Sequence, residues 1–99
     1  MMYKLIILQS ANQDIHDAAK WYEKRSNGLG KRFTSDVRKK VRLIERNPLS
    51  STIRYDEVRT AVLSVFPFMI HYYIDEKDKT IVISAVFHTS RDPGIWKKR

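Results

Sequence analysis

Residues 68–88 read FMIHYYIDEKDKTIVISAVFH, and this stretch decides the fold. Phe68 to Asp75 and Thr80 to His88 are rich in β-branched and aromatic residues, which favours two strands. Glu76 to Lys79 is a short polar connection between them. Because a connection this short joins strands that run in opposite directions, the sequence predicts an antiparallel hairpin.

The N-terminal third predicts a strand followed by a helix. Tyr3 to Leu8 is short and β-rich. Ser10 with Gln13 three residues later has the form of a capping box, which predicts that Ser10 is the N-cap of the helix. The residues at helical spacing that we expect to be buried are Ile15, Ala18, Ala19 and Tyr22, and the helix should end near Ser26-Asn27-Gly28.

A second amphipathic helix follows the turn at Gly28 to Gly30. Its apolar residues recur at intervals of three and four, and Asn47-Pro48 stops it. The apolar positions are Leu29, Phe33, Val37, Val41 and Ile44. We expect the outer face to be basic: it carries Lys31, Arg32, Arg38, Lys39, Lys40, Arg42 and Arg46 against Asp36 and Glu45 alone. This face is either a solvated helix exterior or a seat for phosphates or an acidic protein segment.

After a loop, Tyr55 to Ser64 is predicted to be another strand, and Phe66-Pro67 marks the turn that follows it. The whole chain, residues 1–99, is then one α+β domain with the order β-α-α-β-β-β. We expect a mostly antiparallel four-stranded sheet with a helical hairpin on one face. The other face should be partly open and is the natural place for a binding site.

Composition limits the classes of function. Nineteen Lys and Arg against eleven Asp and Glu give a net charge of +8, which favours an anionic partner such as nucleic acid, a ribosome, a nucleoprotein enzyme or an acidic protein. The absence of cysteine excludes disulfides, thiol catalysis and thiolate metal sites, and favours the cytoplasm. No stretch approaches the ~18 apolar residues that a membrane span needs, so we expect no membrane partner.

No cofactor or metal motif is present. His16, His71 and His88 do not form a metal-ligand cluster, and there is no phosphate-binding loop or nucleophile elbow. We therefore expect no cofactor, no metal and no small-molecule substrate. The C-terminal segment has the sharpest local signal, because His88 can act as an acid or base while Arg91 can hold a phosphate. The structural alternative is that Asp92 caps a turn and Trp96 packs on the domain.

Taken together, the ordered motifs resemble the RelE/ParE superfamily of bacterial type II toxins. The matching pieces cover nearly the whole chain: Asp14-Ile15, Ala18-Ala19 and Trp21-Tyr22-Glu23; Gly28-Leu29-Gly30 with Arg32-Phe33; Asn47-Pro48; Tyr55 with Val58-Arg59; Phe66-Pro67-Phe68 with Ile70 and Tyr72; and Ala85 to Pro93 with Trp96. The resemblance implies a RelE/ParE-like fold and a cognate antitoxin whose flexible, often acidic segment suits a basic toxin. Arg38, Lys39, Arg42 and Arg59 are the expected antitoxin- or anion-binding residues.

The superfamily implies two activities. RelE-like members resemble ribosome-dependent mRNA endonucleases, whereas ParE-like members poison DNA gyrase without an evident nuclease site. Where many nucleases of this kind carry Arg, this chain has Met69, although Arg59, His88 and Arg91 remain catalytic candidates if it is a nuclease, with His71 or Tyr72 as outside candidates. The ending from His88 to Pro93 resembles the ParE branch more closely.

The resemblance therefore favours a non-enzymatic toxin whose target is DNA gyrase. The expected target-binding residues form the C-terminal segment: Arg91, Asp92, Trp96, Lys97, Lys98 and Arg99. The alternatives are an mRNA endonuclease acting on ribosome and mRNA, and a non-toxic binding module of the same fold.

Overall fold

The computed structural model describes residues 3–91 and 93–96. Within these residues the elements follow the order β-α-α-β-β-β-β-α. Their bounds are β1 Lys4–Ile7, α1 Gln9–Arg25, α2 Leu29–Arg46, β2 Ile53–Tyr55, β3 Val58–Val62, β4 Phe68–Asp75, β5 Thr80–His88 and α3 Pro93–Trp96. The fold is the α+β arrangement expected from the sequence, with one further strand.

The strands form a single sheet in the order β1-β5-β4-β3-β2. Only β1 is parallel to its neighbour, and the other pairs are antiparallel, so the predicted meander is confirmed. The extra strand arises because Asp56 and Glu57 turn the chain back within the predicted strand Tyr55 to Ser64, so that Tyr55 pairs with Val58. Their φ angles of 42° and 68° are left-handed, which matches the two-residue turn that suits a right-twisted hairpin.

A β-bulge at Ser84 changes the phase of β5. On β4, His71 and Tyr72 are adjacent, but their β5 partners are Ala85 and Ile83, so Ser84 is the extra residue. The bulge explains why Ile81 and Ile83 face one side of the sheet while Ala85 and Phe87 face the other.

One side of the sheet, which we call the helix-covered face, is buried under α1 and α2. Phe33 of α2 is fully buried, and its ring lies 5.0 Å from that of Phe68 and 5.4 Å from that of Phe66, edge to face. Tyr22 of α1 joins the same aromatic group, with its ring 4.8 Å from Phe66. Edge-to-face rings add to the hydrophobic gain from burial, so this cluster is the centre of the main core. The predicted α2 positions Val37, Val41 and Ile44 are buried as well.

The turn between the two helices depends on close backbone approach. A side-chain carbon at Gly30 would lie 2.7 Å from the carbonyl oxygen of Ala19, so only glycine allows the helices this spacing. Glu23 accepts hydrogen bonds from the backbone N–H of Gly28, at 3.0 and 3.1 Å, and of Gly30, at 3.0 Å. These bonds hold the pKa of Glu23 below its ordinary value, since they favour the charged carboxylate.

The prediction of Ser10 as an N-cap is wrong. The helix begins at Gln9, after Leu8, and has no side-chain cap. Ser10 instead donates its hydroxyl proton to the carbonyl oxygen of Ser84 at 3.3 Å. A long-range partner on the β5 bulge has replaced the local capping bond.

A carboxylate on each of the two long helices accepts hydrogen bonds from backbone N–H groups outside the helices. Asp36, expected on the basic outer face, is buried, and its Oδ2 accepts the N–H of Val65 and of Phe66, each at 2.9 Å. In the same way, Asp14 of α1 accepts the N–H of Val86 at 2.9 Å. Because removing a carboxylate from water is costly unless it is hydrogen-bonded, the contacts of buried Asp36 and half-buried Asp14 fix where α2 and α1 lie on the sheet.

The second side of the sheet, which we call the opposite face, is less open than the sequence suggests. Trp96 of α3 packs over Met69, Ala85 and Phe87, and all four residues are buried. Tyr55 completes this small cluster from β2. The expectation of an open face is therefore correct only beyond this cluster, where Tyr73 and Val58 remain half-buried.

Candidate functional surface

His88 ends β5 on the helix-covered face. Its ring lies edge to face with Phe68 at 5.1 Å, and it lines a depression of about 310 Å³ with Ala18, Trp21 and Tyr22, which we call the Trp21 depression. The Nδ1 atom of His88 accepts the backbone N–H of Ser90 at 3.0 Å. Because that N–H can only donate, the neutral ring carries its proton on Nε2.

Arg91 lies on the other side of the sheet. Its guanidinium carbon is 4.9 Å from the centre of the Phe87 ring, and Phe87 belongs to the cluster under Trp96. Neighbouring strand residues such as Phe87 and His88 point to opposite faces, which explains the separation. Asp92, the next residue of the predicted site, lies outside the described residues.

Arg59 is distant from both His88 and Arg91. Its cross-strand partner is Tyr72, whereas that of His88 is Phe68, so the two lie about 13 Å apart along the strand direction at ~3.3 Å per residue. Its guanidinium donates to the carbonyl oxygens of Ser51 and Leu49, which ties the loop before β2 to the sheet. The structure therefore brings together no two of the three residues predicted for a nuclease site.

The outside candidates are enclosed. Tyr72 is fully buried and donates its hydroxyl proton to the carbonyl oxygen of Pro48 at 2.7 Å. His71 is fully buried, and its Nδ1 lies 2.9 Å from the hydroxyl oxygen of Tyr55. Met69, at the position where many related nucleases carry Arg, is buried under Trp96. None of these side chains reaches a surface where an external phosphate could bind.

The outer face of α2 presents an exposed cationic patch. Arg38, Lys39 and Arg42 are all exposed, and we call them the α2 patch. Lys39 also lines a depression of about 340 Å³ with Lys31 and Arg32. The apolar side chain of Leu43 is 50% exposed beside Arg42. The patch combines positive charge with an apolar contact point.

The C-terminal segment is anchored through Trp96. The indole lies edge to face on His71 at 4.8 Å and is tilted against Tyr55 at 5.6 Å. The sequence predicts Trp96 as a site residue but gives no sign that Tyr55 lies beside it, because their contact joins two segments that are about 40 residues apart in the sequence. Lys97, Lys98 and Arg99, predicted with Trp96 to bind a target, lie outside the described residues.

Two other features are absent from the part of the chain that the structure describes. No group of three His, Cys, Asp or Glu side chains there could hold a metal ion. No helix in residues 3–91 or 93–96 is long and apolar enough to cross a membrane.

Comparison with solved structures places this fold among toxin–antitoxin proteins. A chain of the chromosomal ParDE system of P. aeruginosa superposes with a TM-score of 0.72 at 18% identity, covering 90% of this chain and 98% of that one. The RelBE2 complex of Mycobacterium tuberculosis gives 0.60 at 18% identity, covering 89% and 99%. The intact E. coli RelBE complex gives 0.60 at 14% identity, covering 90% and 99%. These likenesses show the fold.

Sequence comparison supplies the family. No curated protein matches the chain significantly. The family model of the ParE toxin of the type II toxin–antitoxin system parDE matches residues 5–93. This range includes all of the strands except for Lys4, the first residue of β1. The match spans most of the chain and agrees with the fold. The chain belongs to the ParE toxin family of type II toxin–antitoxin systems.

Proposed function

We propose that this protein is a toxin that acts by binding and poisoning DNA gyrase, and that a cognate antitoxin neutralises it. The observation that carries the proposal is the separation of His88, Arg91 and Arg59. Cleavage of RNA needs a base, a cation and an acid around one phosphate. Here His88 and Arg91 are directed to opposite faces, and the Arg59 guanidinium is held by loop carbonyls. Inhibition by binding requires no such cluster.

The C-terminal segment is the proposed contact with gyrase. Arg91 is exposed, and Trp96 anchors the chain immediately before Lys97, Lys98 and Arg99. A rigid anchor followed by three cations suits a surface that carries DNA phosphates or carboxylates. Inhibition should therefore weaken as the salt concentration rises.

The α2 patch is the proposed contact with the antitoxin. Its three exposed cations and the adjoining Leu43 match an acidic amphipathic segment, which would order on binding. Arg59 belongs to this prediction in a lesser role, because its guanidinium already bonds to Ser51 and Leu49.

Charge reversal of each surface tests these assignments. We expect Arg91→Glu combined with Lys97→Glu, Lys98→Glu and Arg99→Glu to abolish inhibition of gyrase supercoiling by the purified protein. The matched reversal of Arg38, Lys39 and Arg42 should leave that inhibition intact and weaken antitoxin binding at least ~10-fold. His88→Ala should leave both unchanged. Normal supercoiling with excess wild-type protein present would overturn the proposal.

A pulse of expression in cells distinguishes the alternative activity. If the proposal is correct, incorporation of labelled thymidine falls before that of labelled amino acids. Earlier loss of protein synthesis, abolished by His88→Ala, would instead identify a ribosome-directed nuclease. Unimpaired growth would identify a non-toxic binding module.

A further inference from the structure

The open part of the opposite face contains a depression of about 330 Å³, which we call the Tyr73 depression. Its lining includes Tyr55 of β2, Tyr73 of β4, Trp96 of α3, Asp56 of the β2–β3 turn and the bulge residue Ser84. Its volume lies at the lower end of the range of small-ligand sites. It takes no part in the proposed contacts of the α2 patch.

The aromatic lining is fixed in place. Tyr55 is held by its hydroxyl contact with Nδ1 of His71 at 2.9 Å and by its ring contact with Trp96. Trp96 is buried against His71. The hydroxyl of Ser84 donates to the carbonyl oxygen of His71 at 3.3 Å, which fixes the floor. Aromatic side chains from three elements therefore border one cavity, and those of Tyr55 and Trp96 are held in place by these contacts.

The described lining of this depression carries a charge opposite to that of the chain as a whole. Among the described residues that line it, Asp56 is the charged one, whereas the depressions beside α2 include Lys31, Arg32 and Lys39 in one case and Lys40 in the other. Among residues 3–91 and 93–96, the Asp56 carboxylate has no cation within 4.0 Å. On a protein of net charge +8, a carboxylate beside aromatic rings that forms no ion pair with the described residues favours a positively charged ligand.

We propose that the Tyr73 depression binds the guanidinium or ammonium group of a Lys or Arg side chain from a protein partner. The aromatic faces attract the cation, and Asp56 attracts it from the rim. Arg54 already lies 5.7 Å from the centre of the Trp96 ring without lining the depression, so the indole attracts a guanidinium within the chain itself. A nucleotide whose base stacks on these rings is disfavoured, because its phosphate would approach the Asp56 carboxylate. The proposal does not depend on gyrase being the target.

The test uses the full chain labelled with fluorotryptophan and observed by ¹⁹F NMR. Trp96 reports on the depression, and Trp21, half-exposed on α1, is an internal control. The probe is N-acetyl-arginine amide, which carries the guanidinium but no terminal charge. We expect a saturable shift of the Trp96 signal, no shift of Trp21, and no response to the uncharged analogue N-acetyl-citrulline amide.

Matched variants locate the site. Asp56→Asn should weaken binding about five-fold, whereas Glu57→Gln, the neighbouring carboxylate outside the depression, should leave it unchanged. Tyr73→Phe should bind normally and Tyr73→Leu about five-fold more weakly, with unfolding curves confirming that each variant is folded. An equal response to citrulline, insensitivity to both Asp56→Asn and Tyr73→Leu, or a stronger response to uridine monophosphate would overturn the proposal. The last outcome would identify a nucleotide site.

Discussion

The two faces of the sheet are buried in different ways. The helix-covered face has two helices, an aromatic group around Phe33, and two carboxylates, buried Asp36 and half-buried Asp14, that accept hydrogen bonds from backbone N–H groups. The opposite face depends on one tryptophan near the chain end and on Tyr55. The free energy gained by burying apolar area grows with the number of side chains enclosed. The helix-covered face should therefore supply most of the stability. The second face is then free to present binding groups.

The largest expected effect comes from the centre of the helix-covered face. Phe33→Ala should lower the free energy of unfolding by about 3–5 kcal/mol, because it removes a fully buried ring and leaves a cavity. Urea denaturation measures this change. Trp21→Ala is the control: its side chain is 53% exposed, so we expect a loss below about 1 kcal/mol. Equal losses for both variants would contradict the assignment of the core.

A smaller loss in the free energy of unfolding is expected from a change on the opposite face. Trp96→Ala should cost about 1–3 kcal/mol, below the usual loss for a core tryptophan, because the indole is on a four-residue helix near the chain end. Amide exchange should rise in β2 and β4 around Tyr55 and His71 while α1 and α2 stay protected. A loss as large as that of Phe33→Ala, with exchange rising throughout, would show that the faces do not differ.

The β2–β3 turn should tolerate a stabilising change. Glu57→Gly should raise the free energy of unfolding by about 0.5–1 kcal/mol, since glycine adopts the observed φ of 68° without steric cost. Thermal unfolding measures the shift. Glu57→Ala is the matched control, because it removes the charge but keeps the strain. If alanine stabilises as much as glycine, charge rather than backbone conformation is responsible.

The smallest effect concerns the turn between α1 and α2. The pKa of Glu23 is lowered, so its bonds to Gly28 and Gly30 stabilise the fold fully above the ordinary pKa near 4.5. That contribution is lost as the pH falls through the lowered value. Unfolding measured from about pH 6 to about pH 3 should therefore decline less steeply for Glu23→Gln than for wild type. Parallel curves would contradict this.

The sequence predicted the elements whose signals are local. The apolar repeat of α2, the stop at Asn47-Pro48 and the hairpin at residues 76–79 appear where expected. The failures involve partners distant in sequence. Ser10 binds the β5 bulge, and Asp36 is drawn inward by the N–H groups near Phe66. The turn at Asp56-Glu57 lacks the Gly or Asn that signals this conformation, so the sequence predicts a continuous strand there.

The features of the candidate surface also divide into those with a local signal in the sequence and those without one. Exposure of Arg38, Lys39 and Arg42 follows from helix periodicity and was predictable. The separation of His88 from Arg91 was not, because proximity in sequence does not reveal which face of a sheet each side chain occupies. The Tyr73 depression requires three segments to meet, and no local pattern indicates that.

The bulge at Ser84 also affects how members of such a family can diverge. Removing that residue would restore strict alternation along β5 and leave the residues after it on the faces they now occupy, because Ser84 is the extra residue opposite β4. A one-residue deletion within residues 85–88, with the bulge kept, would instead move every residue after it to the other face of the sheet. Alignments of relatives can therefore place a gap at Ser84 without any change in the two cores, whereas a gap later in β5 requires both cores to change together.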